Sequence, residues 1–265
     1  MSNLLINLDE ATEYFNENIL PLLPEIIQNS IKYQLVITGC IGSGKTTLLK
    51  QLIKLFKDFN PIIINEYLEA NKTLGPSILS GFINKEISSL TMQNCILDIY
   101  ENELKNIKIT NVNSGIIFYE RIPDDNLAVF SNLAYSSREL TSREFNVLFT
   151  RTIDIDKKYN IPSYINKNSE FKRIVSTDLL DSILIILQTI KDDIKHGVKS
   201  RIIGLSASLE ICKLRIKRRK RNDEDKYDDK YLQGIINTYN NIYNLIEKGN
   251  DNYKITLYTI GRFTE

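Results

Sequence analysis

The chain has 265 residues, 34 Lys+Arg against 33 Asp+Glu, a net charge of +1, and hydrophobic and charged shares of 42% and 25%. These values are those of folded globular chains long enough for one large α/β domain or two small ones. They exclude global disorder, low-complexity or collagen-like architecture, and a strongly basic chain built to neutralise nucleic acid. The single histidine, His196, excludes His-rich zinc sites and most histidine-assisted nucleophile schemes. Cys40, Cys95 and Cys212 are far apart with no CxxC pair, and read as free thiols of a reducing compartment. The start, MSNLLINLDE, has no basic n-region and carries serine, not glycine, after the first methionine. The longest apolar run, around Ile183 to Leu187, falls far short of a membrane span. A cytoplasmic protein with neither membrane nor nucleic-acid partners is expected.

In chain order, residues 8–30 read as a helical lead with apolar residues at helical spacing, kinked by Pro21 and Pro24. Short apolar runs follow at Gln34–Thr38, Pro61–Ile64, Ile116–Tyr119, Arg201–Leu205 and Lys254–Ile260, separated by helical stretches. Near-continuous apolar runs are those of parallel strands covered on both faces, so residues 31–265 predict one α/β domain with a five-stranded parallel sheet. Residues 155–175 are polar and weakly patterned and read as a loop or insertion. Ligands of such sheets bind beyond the carboxyl ends of the strands, which directs attention to the residues just after each run.

After the first run stands Gly39-Cys40-Ile41-Gly42-Ser43-Gly44-Lys45-Thr46-Thr47, a GxxxxGK[ST] loop. Its glycines let consecutive N–H groups wrap phosphates, the following helix aims its positive end at them, Lys45 adds a point charge and Thr46 a hydroxyl for Mg²⁺. No NKxD motif is present, and no apolar strand ends in a DE pair, which points away from GTPases and motors. The second run ends in Glu66, placed to act as a base toward a hydroxyl or to close the strand as a solvated acid. The third ends in Glu120-Arg121, an acid suited to Mg²⁺ and an arginine suited to a transferring phosphoryl, or a solvated ion pair. After the fourth comes a helix ending in the basic run Lys217–Arg221, readable as a nucleic-acid patch, a solvated helix end or a phosphate-closing lid over 215–230. The acidic residues from Asp223 onward disfavour the first reading.

These segments, in this order, resemble the deoxynucleoside kinase family. Ile117-Phe-Tyr-Glu120-Arg121 through Asp125 and Phe130-Ser-Asn132-Leu133 is similar to its [DE]RS region, with Ile122 in place of the serine and one residue missing before Asp125. Glu210, Cys212, Arg215, Ile216, Arg219, Arg221, Glu224 and Tyr231-Leu232 follow its lid pattern, with Leu209 for the usual proline and Lys220 for glycine. The resemblance implies transfer of the ATP γ-phosphoryl to the 5′-hydroxyl of a deoxynucleoside, with Mg²⁺, by a homodimer. It implies Glu66 as base, Lys45, Arg121 and Arg219 in phosphoryl transfer, Arg215, Arg219 and Arg221 as lid arginines, and Thr46 with Glu120 for the metal. It implies Gln93 at the base edge, Asp125 and Phe82 in the nucleoside pocket, and Glu224 at the 3′-hydroxyl. Tyr100 stands where cytidine-type members carry an arginine and Phe82 where many carry a tyrosine, so the preferred base stays open. A monophosphate kinase of the thymidylate kinase type, and a kinase-derived subunit without catalysis, are the alternatives.

Overall fold

A computed structural model of the chain describes residues 8–24, 32–110, 115–175, 178–219 and 226–249. Its strands β1 Tyr33–Gly39, β2 Ile62–Ile64, β3 Ile116–Glu120, β4 Glu170–Val175 and β5 Ser200–Ser206 form one sheet in the order β2-β3-β1-β5-β4. Every pairing is parallel. Registers of Ile37 with Glu120 and Gly39 with Leu205 align the carboxyl ends of the three central strands.

Alternation along β1 explains the two covered faces. Val36 enters an apolar cluster with Leu97, Phe145, Tyr239 and Tyr243, from helices α4 Ser89–Thr110, α5 Ser142–Tyr159 and α8 Asp229–Glu247. Leu35 and Ile37 face the opposite cluster, with Leu48 and Leu52 of α2 Lys45–Leu55 and Ile183 and Ile186 of α6 Leu179–His196. α1 Asp9–Asn18 belongs to that second cluster rather than standing apart, because Phe15 packs edge-on against Phe56, which packs edge-on against Phe118 at ring distances of 4.8 and 5.4 Å. Two further helices, α3 Leu74–Ile83 and α7 Leu209–Arg219, complete the frame near the strand tips.

Two expectations change. Residues 155–175 are not a structureless insertion: α5 runs to Tyr159, and Glu170–Val175 is the edge strand β4 beside β5. Only Ile174 of that strand is buried, which is why its sequence, EFKRIV, lacks an apolar run. The expected strand at Lys254–Ile260 lies outside the described residues, as do Ile26 and Ile27 of the expected lead helix. Within the described part of that lead, Pro21 sits in a 3₁₀ turn at Leu20–Leu22 that ends the helix. No described helix is long and apolar enough to cross a membrane.

Candidate active site

The loop after β1 wraps as its glycines dictate. Gly39, Gly42 and Gly44 take φ values of 145°, 79° and 102°, and Gly44 leads directly into α2. A Cβ on Gly42 would stand 2.6 Å from the Cys212 carbonyl oxygen of α7, so this position also needs glycine for close packing. Arg215 of α7 donates to the Ser43 carbonyl at 2.7 Å, fixing the helix on the loop. Lys45 is buried, and its Nζ donates to the carbonyls of Gly39 and Cys40 at 3.1 and 3.0 Å. Burial, then the nearby Arg121 charge, lowers its pKa, against the pull of Glu66 and Glu120.

Beside the loop, the tips of β2 and β3 converge. The Arg121 guanidinium donates to Glu66 Oε1 at 2.8 Å and to the Gly39 carbonyl at 3.3 Å, and it lies 4.9 Å from the Phe130 ring centre. Its backbone holds φ +67°, an uncommon conformation for a residue with a side chain. The Arg121 N–H donates to the Ile37 carbonyl at 3.0 Å and the Tyr100 hydroxyl donates to the Arg121 carbonyl, so both sides of the strained residue are tied down. Thr46 Oγ1 donates to Glu120 Oε1 at 2.6 Å. Burial, then the Glu66 charge, raises the Glu120 pKa, which the Lys45 charge and the Thr46 bond oppose. This carboxylate–hydroxyl pair beside a phosphate-type loop fits Mg²⁺, which takes few protein ligands and completes its shell with water and phosphate oxygens.

Two hollows lie beside these residues and share Leu68 in their walls. A cleft of about 960 Å³ is lined by Gly42, Gly44, Lys45, Thr46, Thr47, Arg215, Arg218 and Arg219 among others. A second, narrow cavity of about 50 Å³ is walled by Ile41, Glu66, Gln93, Tyr100, Arg121 and Asn126 among others. Both Gln93 Oε1 and Asn126 Oδ1 are buried without a hydrogen-bond partner. Asn126 Nδ2 donates to the Gln93 backbone carbonyl at 3.1 Å, so its amide orientation is set and its oxygen can only accept.

Several expected residues therefore come together: Lys45, Thr46, Glu66, Glu120, Arg121 and Gln93. Others fall elsewhere. Asp125 reaches the cavity wall, but its carboxylate is used inside the protein, accepting from the Thr38 hydroxyl, from Ile122 N at 3.1 Å and from the Tyr164 hydroxyl at 3.3 Å. Phe82 packs in the apolar cluster of Tyr67, Ile78 and Met92 and lines neither hollow. Arg215 grips loop carbonyls, while Arg219 lines the cleft. Arg221 and Glu224 lie outside the described residues. Sequence reasoning missed Asn126, which opens a π-helical stretch, Asn126–Ser131, that turns it and Phe130 toward the cavity. The signal was present: counting on from Glu120-Arg121 without the assumed one-residue gap arrives at Asn126.

Fold and site together define a P-loop phosphotransferase on a five-stranded parallel sheet. The deoxynucleoside kinase family model matches residues 35–170, just over half of the chain, and the chain belongs to that family. Solved structures of similar fold include a deoxyadenosine kinase from M. mycoides with the products dCMP and a flexible dCDP bound, at TM-score 0.52 and 17% identity over 80% of this chain and 83% of that one. The same kinase with dATP bound matches at TM-score 0.53 and 17% identity, over 82% of this chain and 86% of that one. No curated protein matches the chain.

Proposed function

We propose that this kinase transfers the γ-phosphoryl of ATP to the 5′-hydroxyl of a deoxynucleoside. The observation that carries the reading is a pair of hollows beside the phosphate loop that share Leu68: a basic cleft lined by Lys45 and the arginines of α7, and a smaller, largely apolar cavity lined by Glu66 and Arg121. A triphosphate suits the charge of the first, and a neutral nucleoside suits the chemistry, though not the present width, of the second. Glu66 accepts the proton of the attacking hydroxyl, and the Arg121 bond at 2.8 Å aims its carboxylate. Lys45 balances charge on the transferring phosphoryl, and the arginines of α7 close on it from the cleft wall as a lid. Thr46 and Glu120 would hold Mg²⁺, which neutralises phosphate charge when bound. The homodimer common in the family belongs to the same proposal.

Gln93 and Asn126 are assigned to the base. The unpartnered Oδ1 of Asn126 is an acceptor, which suits an exocyclic amino group on the base, while Nδ2 holds the amide in place through its bond to the Gln93 carbonyl. Adenine, cytosine and guanine carry such a group and thymine does not, and the M. mycoides kinase, with dATP or dCMP bound, fits the same chemistry. The deciding experiment offers ATP·Mg²⁺ with radiolabelled deoxyadenosine, deoxycytidine, deoxyguanosine, thymidine and their 5′-monophosphates. Turnover of at least one nucleoside well above its monophosphate is expected; the reverse ranking moves the assignment to a monophosphate kinase.

A further inference from the structure

The fold unites two cysteines that sequence alone leaves isolated. Cys40 of the phosphate loop and Cys212 of α7 place their sulfurs 3.4 Å apart, 172 residues distant along the chain. Both are buried, at 3% and 0% exposure, and both are free thiols. The surrounding backbone is equally close, since a Cβ on Gly42 would meet the Cys212 Cα at 2.9 Å.

We propose that Cys40 and Cys212 are an oxidation site, at which hydrogen peroxide converts the thiol pair to a disulfide that ties α7 to the phosphate loop. The Cys40 sulfur attacks one peroxide oxygen; an S–O bond forms, the O–O bond breaks, and the sulfenic acid is left with water released. The Cys212 sulfur then attacks the Cys40 sulfur; the S–S bond forms, the S–O bond breaks, and the departing hydroxide leaves as water with the Cys212 proton. The two thiols lose two electrons and two protons together, and the peroxide is reduced to two waters.

The surroundings assign the two roles. A hydrogen bond from Cys212 lowers the Cys40 thiol to about 7 against the effect of burial, and the charges of Lys45 and Arg121 help. The same pairing, with burial, pushes the Cys212 thiol up, so it stays protonated until it resolves the sulfenic acid. Cys95 is a contrast. It lies on α4 against a different apolar cluster, and burial, then the Asp98 charge, raises its thiol.

Closure has a geometric consequence for the loop. A disulfide holds its sulfurs at about 2.05 Å, so the pair must draw together by more than an ångström. The Cys40 carbonyl that would move with it is the one holding Lys45 Nζ at 3.0 Å. A displacement of that size at a catalytic group costs on the order of 10²-fold in rate.

The test treats the full chain with hydrogen peroxide, then counts thiols after denaturation and maps disulfide-linked peptides. The expected result is a fall from three thiols to one, a Cys40–Cys212 peptide within single chains, a rate loss of about 10²-fold, and recovery of both with dithiothreitol. Cys95→Ser should fall from two thiols to none. Cys212→Ser should form no intrachain link and should keep most of its own untreated rate at an exposure that silences the parent. Persistence of three thiols, oxidation confined to Cys95, or linkage only between chains overturns the site. A complete Cys40–Cys212 link with unchanged phosphotransfer overturns its effect on the loop.

Discussion

Glu66→Gln separates the two jobs the structure lets this residue hold. The carboxylate sits 2.8 Å from the Arg121 guanidinium, and both side chains are largely buried. Removing one member of a buried ion pair outright costs about 3–5 kcal/mol. Glutamine, however, keeps an oxygen that accepts the same hydrogen bond, so the loss should be nearer 1–3 kcal/mol, roughly that of a weakened bond to a charged group. For a chain of this length, that is a fall in Tm of roughly 2–10 °C. As a base, glutamine fails entirely, and kcat should drop by about 10²–10⁴-fold with nucleoside KM within a few-fold. Glu66→Asp is the companion: it keeps the charge but withdraws it by one methylene, and should recover part of the stability and little of the rate. Differential scanning fluorimetry and steady-state kinetics on the same preparations read both quantities. If Glu66→Gln loses Tm as expected yet retains kcat within about threefold, Glu66 anchors Arg121 and another group takes the proton.

Three further outcomes are expected. Lys45→Ala should reduce turnover by about 10³-fold or more, because a buried cation facing a transferring phosphoryl is worth several kcal/mol; survival within tenfold of the parent contradicts the phosphate assignment. Asn126→Leu, close in volume but without the acceptor, should narrow the preference for deoxyadenosine or deoxycytidine over thymidine by about tenfold or more in kcat/KM; an unchanged ratio removes Asn126 from base reading. Asp124 and Asp156 are buried against each other, with Asp124 pushed up to about 6 by burial and Asp156 well above the usual carboxylate range by burial and the Asp124 charge. A raised carboxyl binds its proton more tightly in the folded state, so stability should fall as pH climbs from about 4 to beyond about 6. Asp156→Asn should flatten that slope and raise Tm at about pH 7.5, as urea or thermal melts across pH will show.

Much of the phosphate side was legible because its chemistry is local. A glycine-spaced loop between an apolar strand and an amphipathic helix admits few conformations, and Lys45 and Thr46 follow from it. Glu66, Glu120 and Arg121 were readable because parallel strands deliver whatever follows them to one edge of the sheet. The rest depends on long-range packing. The edge strand β4 is half solvated and carries no apolar signature. The strained backbone of Arg121 is held by Tyr100, 21 residues away, and no sequence pattern announces that bond. Asp125 lines the cavity where its position implies, but that its carboxylate is engaged by the Thr38 and Tyr164 hydroxyls depends on contacts 87 and 39 residues apart. Asn126 depended on a π-helical register that shifts which side of the segment faces the cavity.

The narrowness of the cavity behind Glu66 sets an energetic condition on substrate binding. Its room of about 50 Å³ is well below the roughly 300–1,000 Å³ of sites that enclose small molecules. Under the proposed function, a nucleoside would bind only to the fraction of molecules in which the aromatic and aliphatic wall has parted, and the observed affinity would be the intrinsic one reduced by that fraction. On that proposal, discrimination between bases would be exercised twice, once in how far each forces the wall and again in which amide atoms it meets. A shortened wall residue such as Met92→Ala would raise the open population and tighten binding of every nucleoside alike, leaving the ranking among bases to Gln93 and Asn126.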